Sequence, residues 1–494
     1  MAISDAIAPS AVARAVGIET IFRVLRAGVV LLPQRIAVVG QGSTLATYST
    51  DKKTVFSALE VGQTYGFGSP LHLAVEQLLP PTGDGVGTIP VTIYPTVDGT
   101  SAAFGDIVPS GVAQNSDKVY YVKINEKISE AILIPEGTTP DGALDLFISG
   151  INANVRMPTL AADGTTKINL TAKAKGLYGN DLYVEIIGEE DGLTFTINQP
   201  SGGAGNPDVQ PALDQFGNIW ETLVLNCMNI EDTDTLEKYA LFGEGRWNPI
   251  QPKPCVVFTG ATATSVSLAV AISDARKTDR INAQLVAPAS KELPLVVAAR
   301  QLARLAVVAN ENPPTDYAGQ RITGIIPGAD EQQWTFAERD FAVKAGSSTV
   351  EMIDNVLEMS DTVTFYHPTG DVNPAYRYVV SVIKVMNVTF NLRLIFESDD
   401  WKGKVLIPDG QPTRNPNARR PSTAKAAVAK MIDGLALEAI IVNPAAAKES
   451  IQVDINPSNP NRLDLSFTYQ ISGNTNQISI TAYWGFNFGD QLAA

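Results

Sequence analysis

Few residues in this 494-residue chain stand at spacings that could do chemistry. In IAVVGQGSTL an apolar run ends on Gly40 and Gly42, the first two positions of a G-x-G-x-x-G turn. Such a turn would set backbone amides at a helix N-terminus against a phosphate. Leu45 stands where the third glycine belongs, and TLATYSTDKK does not read as a helix, so a structural strand-to-turn glycine pair is the better reading. The two histidines, His72 and His367, are too few for an imidazole zinc site, and Cys227 and Cys255 are isolated from one another. Glu189-Glu190-Asp191 and Ser398-Asp399-Asp400 lack the alternating ligands and central glycine of a calcium loop. All of these are expected to be structural or solvated. No catalytic residue, cofactor site or metal site is predicted, and the chain does not read as an enzyme.

The elements that would have to position any site form an α/β and α+β multidomain pattern. The length calls for about two to four domains, and 45% hydrophobic against 18% charged residues supports sizeable cores. Residues 34–42 read as a buried strand. Ser69 and Pro70 supply the N-cap and first position of a helix, SPLHLAVEQLL. From 87 to 200, short β-rich runs alternate with glycine and aspartate turns around one helical segment, ALDLFISGINANV, which predicts an inserted β-rich domain. After 201, the apolar runs WETLVLNCM, PCVVFTGA and INAQLVAP alternate with helices near 233–246, 265–278 and 292–310, the pattern of βαβ units and a parallel sheet. Helices are expected at 376–396 and 421–440. The boundaries that follow are 1–30 for an N-terminal arm, 31–86 and 201–345 for the two parts of an α/β domain, 87–200 for the insert, 346–472 for a C-terminal core domain and 473–494 for a C-terminal arm.

Charge narrows the partners. With 37 basic and 52 acidic residues the net charge is −15, which repels nucleic acid and anionic membranes. The low cysteine count fits a reducing compartment. The opening MAISDAIAPSAVARAV has no apolar core of a secretory signal. No apolar run is expected to reach the roughly 18–20 residues that span a bilayer, so a soluble chain made in the cytosol is predicted. One concentrated basic stretch interrupts the acidic composition: Arg414, Arg419 and Arg420, then Lys425 and Lys430. It reads either as a solvated loop and helix start or as an electrostatic contact with an acidic partner.

Both chain ends carry period-two patterns. Val16, Ile18, Phe22 and Val24 alternate near the start. Near the end Leu463, Leu465, Phe467, Tyr469 and Ile471 alternate, and after SGNTN so do Ile478, Ile480, Trp484 and Phe486. The last two runs could form a hairpin, or the final one could add to a neighbouring subunit's sheet edge through main-chain hydrogen bonds.

Four pieces of this chain, in order, resemble the tail sheath proteins of Mu-like contractile phages: PQRIAVVGQGS (33–43), YGFGSPLHLAVEQLL (65–79), LTAKAKGLYGNDLYVEI (170–186) and SGGAGNPDVQPAL (201–213). The order and spacing hold over residues 15–345; the remaining residues match more loosely. The resemblance implies a structural subunit that stacks as six-fold rings around a tail tube and contracts to drive the tube through the host envelope during genome delivery. It implies as partners further copies of the chain, the tube protein, and baseplate and terminator proteins, in a virion assembled in the host cytoplasm. It also implies a discontinuous core with an outward-facing insert, terminal arms that link subunits (12–24 and 477–488), and a tube-facing 421–440 helix with its basic lead-in. Two alternatives stay open: the sheath of a bacterial contractile injection particle, and a nucleotide-binding α/β enzyme built on residues 38–42.

Overall fold

A computed structural model describes residues 29–189 and 191–484. The expected N-terminal arm residues Val16, Ile18, Phe22 and Val24, and Phe486 at the other end, lie outside the described residues. One compact unit comprises Leu31–Phe390 with the described residues from Ile471 on; another comprises Asn391–Gln470 with Val29 and Val30.

The first unit is built on a six-stranded sheet in the order Asn282–Val286, Val256–Ala261, Leu223–Asn226, Ile36–Gln41, Val91–Thr96 and Lys53–Val55. The first five strands run parallel, and Lys53–Val55 pairs antiparallel at the edge. A parallel sheet must be covered on both faces, so its strands read as continuous apolar runs. Ile36–Gln41 is buried at every residue. Ile36 and Val38 point into one core cluster with helices Pro70–Leu78 and Pro294–Glu311, while Ala37 and Val39 point into another with Leu213 and Tyr239. Helices Thr233–Arg246, Val266–Asp274 and Pro294–Glu311 follow successive strands, as the sequence pattern predicts. Strand and helix come so close that a Cβ on Gly260 would stand 1.6 Å from the Pro294 carbonyl oxygen, which is why only glycine fits there.

Val91–Thr96 belongs to this sheet, registered against Ile36–Gln41, and not to the insert where the 87 boundary had put it. Its run VTIYPT is apolar and β-branched like the insert's own strands, so composition could not separate them. Two four-stranded antiparallel sheets follow. One has the order Leu193–Ser201, Ala102–Gly111, Ile168–Lys175, Thr159–Asp163; the other gathers Val184–Ile187, Lys127–Ile128 and Ile132–Ile134 around Lys118–Ile124. Helix Pro140–Ala153, capped by Thr139, buries Leu144, Phe147 and Ile151, and Phe147 meets Tyr120 and Phe195.

The 346–472 boundaries also differ from what the structure shows. Thr349–Ile353 pairs with Val356–Asp361, which in turn pairs with Arg321–Ile322, and Val379, Val382, Ile383 and Met386 join the first unit's core. Helix Val379–Phe396 runs across the division between the units. Its 18 residues have a mean hydropathy of 1.6 and are 50% buried, so an apolar run long enough to span a bilayer does exist here, contrary to expectation. Lys384, Asn387 and Asn391 interrupt that run with polar groups that bond inside the protein.

In the second unit, helix Pro421–Leu437 buries Ala424, Val428, Met431, Ile432 and Leu435, within the 421–440 helix expected from sequence. Leu463–Ser466 pairs antiparallel with Gln452–Ile455. Of the two readings for the last runs, the hairpin between 463–471 and 478–488 is not seen among the described residues. QVDI at 452–455, too short to stand out in the sequence, is the partner of Leu463–Ser466, and the described residues 473–484 form no strand.

Candidate assembly surfaces

The amides of the glycine turn after the first strand already have acceptors within the protein. The amides of Gly42, Ser43 and Thr44 donate to Tyr48 Oη at 3.0 Å, to the Tyr65 carbonyl at 2.7 Å and to the Lys173 carbonyl at 2.7 Å. A Cβ on Gly42 would meet the Tyr48 ring at 2.4 Å. A phosphate cradle requires free, converging amides; here they are taken by Tyr48, Tyr65 and Lys173.

The histidines are internal. His72 is buried, its Nδ1 accepts from the Gly68 amide at 3.2 Å, and burial pushes its pKa down to about 4. His367 Nε2 lies 3.2 Å from Asp274 Oδ1, and the hydrogen bond from His367 is the largest of the effects that hold the Asp274 carboxyl below the usual range. Cys227 and Cys255 are free and buried, and burial pushes the Cys255 thiol up to about 12. Lys118 binds Glu189 at 3.1 Å and Asn115 binds Asp191 at 2.8 Å, so both residues serve their own turns. Among the described residues no group of three or more His, Cys, Asp or Glu could hold a metal ion.

The basic stretch divides. Arg419 Nε donates to the Asp400 carbonyl at 2.7 Å and its Nη1 to Pro416 and Ala418, while Arg420 Nη2 donates to the Gln411 carbonyl at 2.9 Å. These two guanidiniums hold the loop ahead of helix Pro421–Leu437. Arg414, Lys425 and Lys430 are exposed.

The C-terminal segment has a root that sequence inspection missed. Lys384, fully buried on helix Val379–Phe396, donates from Nζ to the Ser472 carbonyl at 2.9 Å and to Asn474 Oδ1 at 2.7 Å. Asn474 Nδ2 donates to the Pro314 carbonyl at 2.8 Å. Beyond this clamp Ile478, Ile480 and Trp484 are 75%, 82% and 82% exposed. A lysine inside an apolar helix is the one sequence signal that could have pointed to the clamp, since a buried ammonium must find acceptors.

No family model matches the chain. A curated protein, the Mu-like prophage FluMu tail sheath protein of Haemophilus influenzae (strain ATCC 51907 / DSM 11121 / KW20 / Rd), is 22% identical over 268 residues, covering 53% of this chain and 54% of that protein. The chain is similar to a phage tail sheath protein. It spans about half the length of the curated relative it matches. Among solved structures, the sheath tail protein of Desulfitobacterium hafniense aligns with 14% identity and a TM-score of 0.46 over 92% of this chain and 100% of that one. That of Listeria innocua aligns with 12% identity and a TM-score of 0.49 over 91% and 94%. The contracted sheath complex of an extracellular contractile injection system, PVC, gives 9%, 0.46, 97% and 99%. These relatives carry the names of structural sheath components, not of enzymes.

Proposed function

We propose that this protein is a structural subunit of a contractile tail sheath, polymerising as stacked rings around a tail tube and contracting to drive the tube through an envelope. The observation that carries the reading is the segment after Asn474. It is tied down at its root, alternates apolar residues at strand spacing, and exposes them in the isolated chain. A row of exposed Ile, Ile and Trp calls for a cover, and strand addition supplies one together with main-chain hydrogen bonds. The two-stranded sheet of Gln452–Ile455 and Leu463–Ser466 offers an edge of the kind such a strand would join on another copy.

In this reading each arm contributes several hydrogen bonds worth about 1 kcal/mol net apiece. The links persist while softer contacts between rigid bodies rearrange between two packings of one lattice. The residues before Val29 would form the second arm, the antiparallel insert would face outward, and Arg414, Lys425 and Lys430 would face the tube.

Removal of residues 477–494 tests this directly. The truncated chain should keep its circular dichroism spectrum and thermal transition while losing the ability to form tubes in electron micrographs. Normal tubes from the truncated chain would sink the proposal.

A further inference from the structure

The antiparallel insert meets the parallel-sheet core at a buried seam that the sheath reading does not use. Asn125, in a left-handed conformation at the turn after strand Lys118–Ile124, donates from Nδ2 to the Lys291 carbonyl at 2.7 Å and to the Asp181 carbonyl at 3.2 Å. Its Oδ1 accepts from the Tyr183 amide at 3.2 Å. Lys291 Nζ pairs with Glu185 at 2.8 Å and lies over the Tyr183 ring. The turn at 125–126 is thus pressed against the loop that leads into helix Pro294–Glu311.

At the centre of this seam the carboxyl groups of Glu126 and Glu292 lie within hydrogen-bonding reach of each other. Glu292 is 3% exposed, and both Glu126 oxygens are shielded from solvent although part of its stem is not. Neither Glu126 oxygen, nor Glu292 Oε2, makes a well-formed hydrogen bond with a donor among the described residues. Two ionised carboxylates in contact have only acceptors to offer, and in a low-dielectric seam their repulsion is unscreened. One proton between them changes the contact into a short O–H···O⁻ hydrogen bond.

We propose that Glu126 and Glu292 share one proton, and that this proton latches the insert onto the loop before helix Pro294–Glu311. When the seam opens, both carboxyls reach water and the proton leaves to solvent.

The other charged groups at the seam do not replace it. Lys127, beside Glu126, is taken by Glu76 of helix Pro70–Leu78, and Lys123 by Glu185. The Ile326 amide lies against Glu292. Tyr178 is buried on the turn Leu177–Asp181, and Asp181, held by Asn229 at 2.8 Å and near Glu231, is a separate carboxyl raised by burial to about 7. Burial raises the Glu126 carboxyl as well, to about 7 from 4.5. A group whose folded value lies above its unfolded one loses stability as pH rises between the two. Opening of the seam therefore becomes easier with rising pH from 4.5 to about 7 and levels off above that.

Hydrogen exchange of the full chain, corrected for intrinsic rates, tests the latch through amides of 177–187 and 287–293. Release of one proton makes opening about tenfold easier per pH unit inside the window. Glu126→Gln and Glu292→Gln each place a permanent donor against the remaining carboxyl, so in either variant the slope should fall by about one proton, with protection at neutral pH retained or raised. A wild-type slope in both variants would overturn the proposal. If one variant does not fold, the other carries the same test. In an Asp181→Asn background, the infrared carbonyl band of a protonated buried acid should be present at neutral pH and vanish on either Gln substitution; its persistence in both would equally overturn it.

Discussion

At the scale of single residues, the groups that look chemical are consumed by packing. His72 shows the consequence for pH. It takes up a proton near 6.5 when unfolded and only near 4 when folded, so unfolding binds a proton between these values. Stability therefore falls as pH drops from 6.5 to 4, by at most about 3 kcal/mol. His72→Phe should flatten the fall of the urea midpoint over that range, while losing about 1 kcal/mol at neutral pH from the orphaned Gly68 amide. An unchanged slope would show that His72 is not held neutral. The sign is opposite to that of Asp181 and of the Glu126–Glu292 pair, whose folded values are raised and whose stabilisation fades as pH rises. The chain is thus squeezed from both sides of mildly acidic pH.

At the scale of elements, helix Val379–Phe396 ties the C-terminal segment to its unit. Lys384 shares a buried face with Asn387 and Asn391, and burial lowers its pKa while Asp316 opposes that shift. Its two acceptors, the Ser472 carbonyl and Asn474, fix the point from which the final residues depart. Lys384→Met keeps the helix and removes the clamp. The expected result is faster proteolysis at 472–476 and a loss of about 2 kcal/mol of local protection, with the core amides of helix Pro294–Glu311 unaffected. Equal cleavage of wild type and variant would show that the clamp does not hold the segment.

At the scale of the whole molecule, the proposed sheath requires an acidic chain to limit like-charge repulsion between its copies. The exposed Arg414, Lys425 and Lys430 are the candidates for contact with an acidic tube, whereas Arg419 and Arg420 hold the loop beneath them. Reversing the three exposed residues to glutamate should weaken co-sedimentation with tube protein about tenfold or more at low salt, with an unchanged thermal transition. Reversing Arg419 and Arg420 should instead lower the transition temperature. If the three exposed reversals leave tube attachment intact, they are solvated surface only.

Periodicity and caps settled much by themselves. The parallel strands, the Ser69-Pro70 helix start, the Thr233–Arg246 helix and the Pro421–Leu437 stripe are all written in local patterns, because a strand buried on both faces or a capped amphipathic helix imposes its period on its own residues. The reading of Gly40 and Gly42 as a strand-to-turn pair likewise rested on Leu45 and the residues after it, which are not helical in the structure. Tertiary structure alone decided which partner each strand takes: Val91–Thr96 joins the parallel sheet and Leu463–Ser466 pairs backwards with Gln452–Ile455, since main-chain pairing is blind to side-chain identity. It alone brought Lys384 to Ser472 and Glu126 to Glu292, contacts between residues 88 and more apart in the chain, where the energy of a buried charge depends on what folding places beside it.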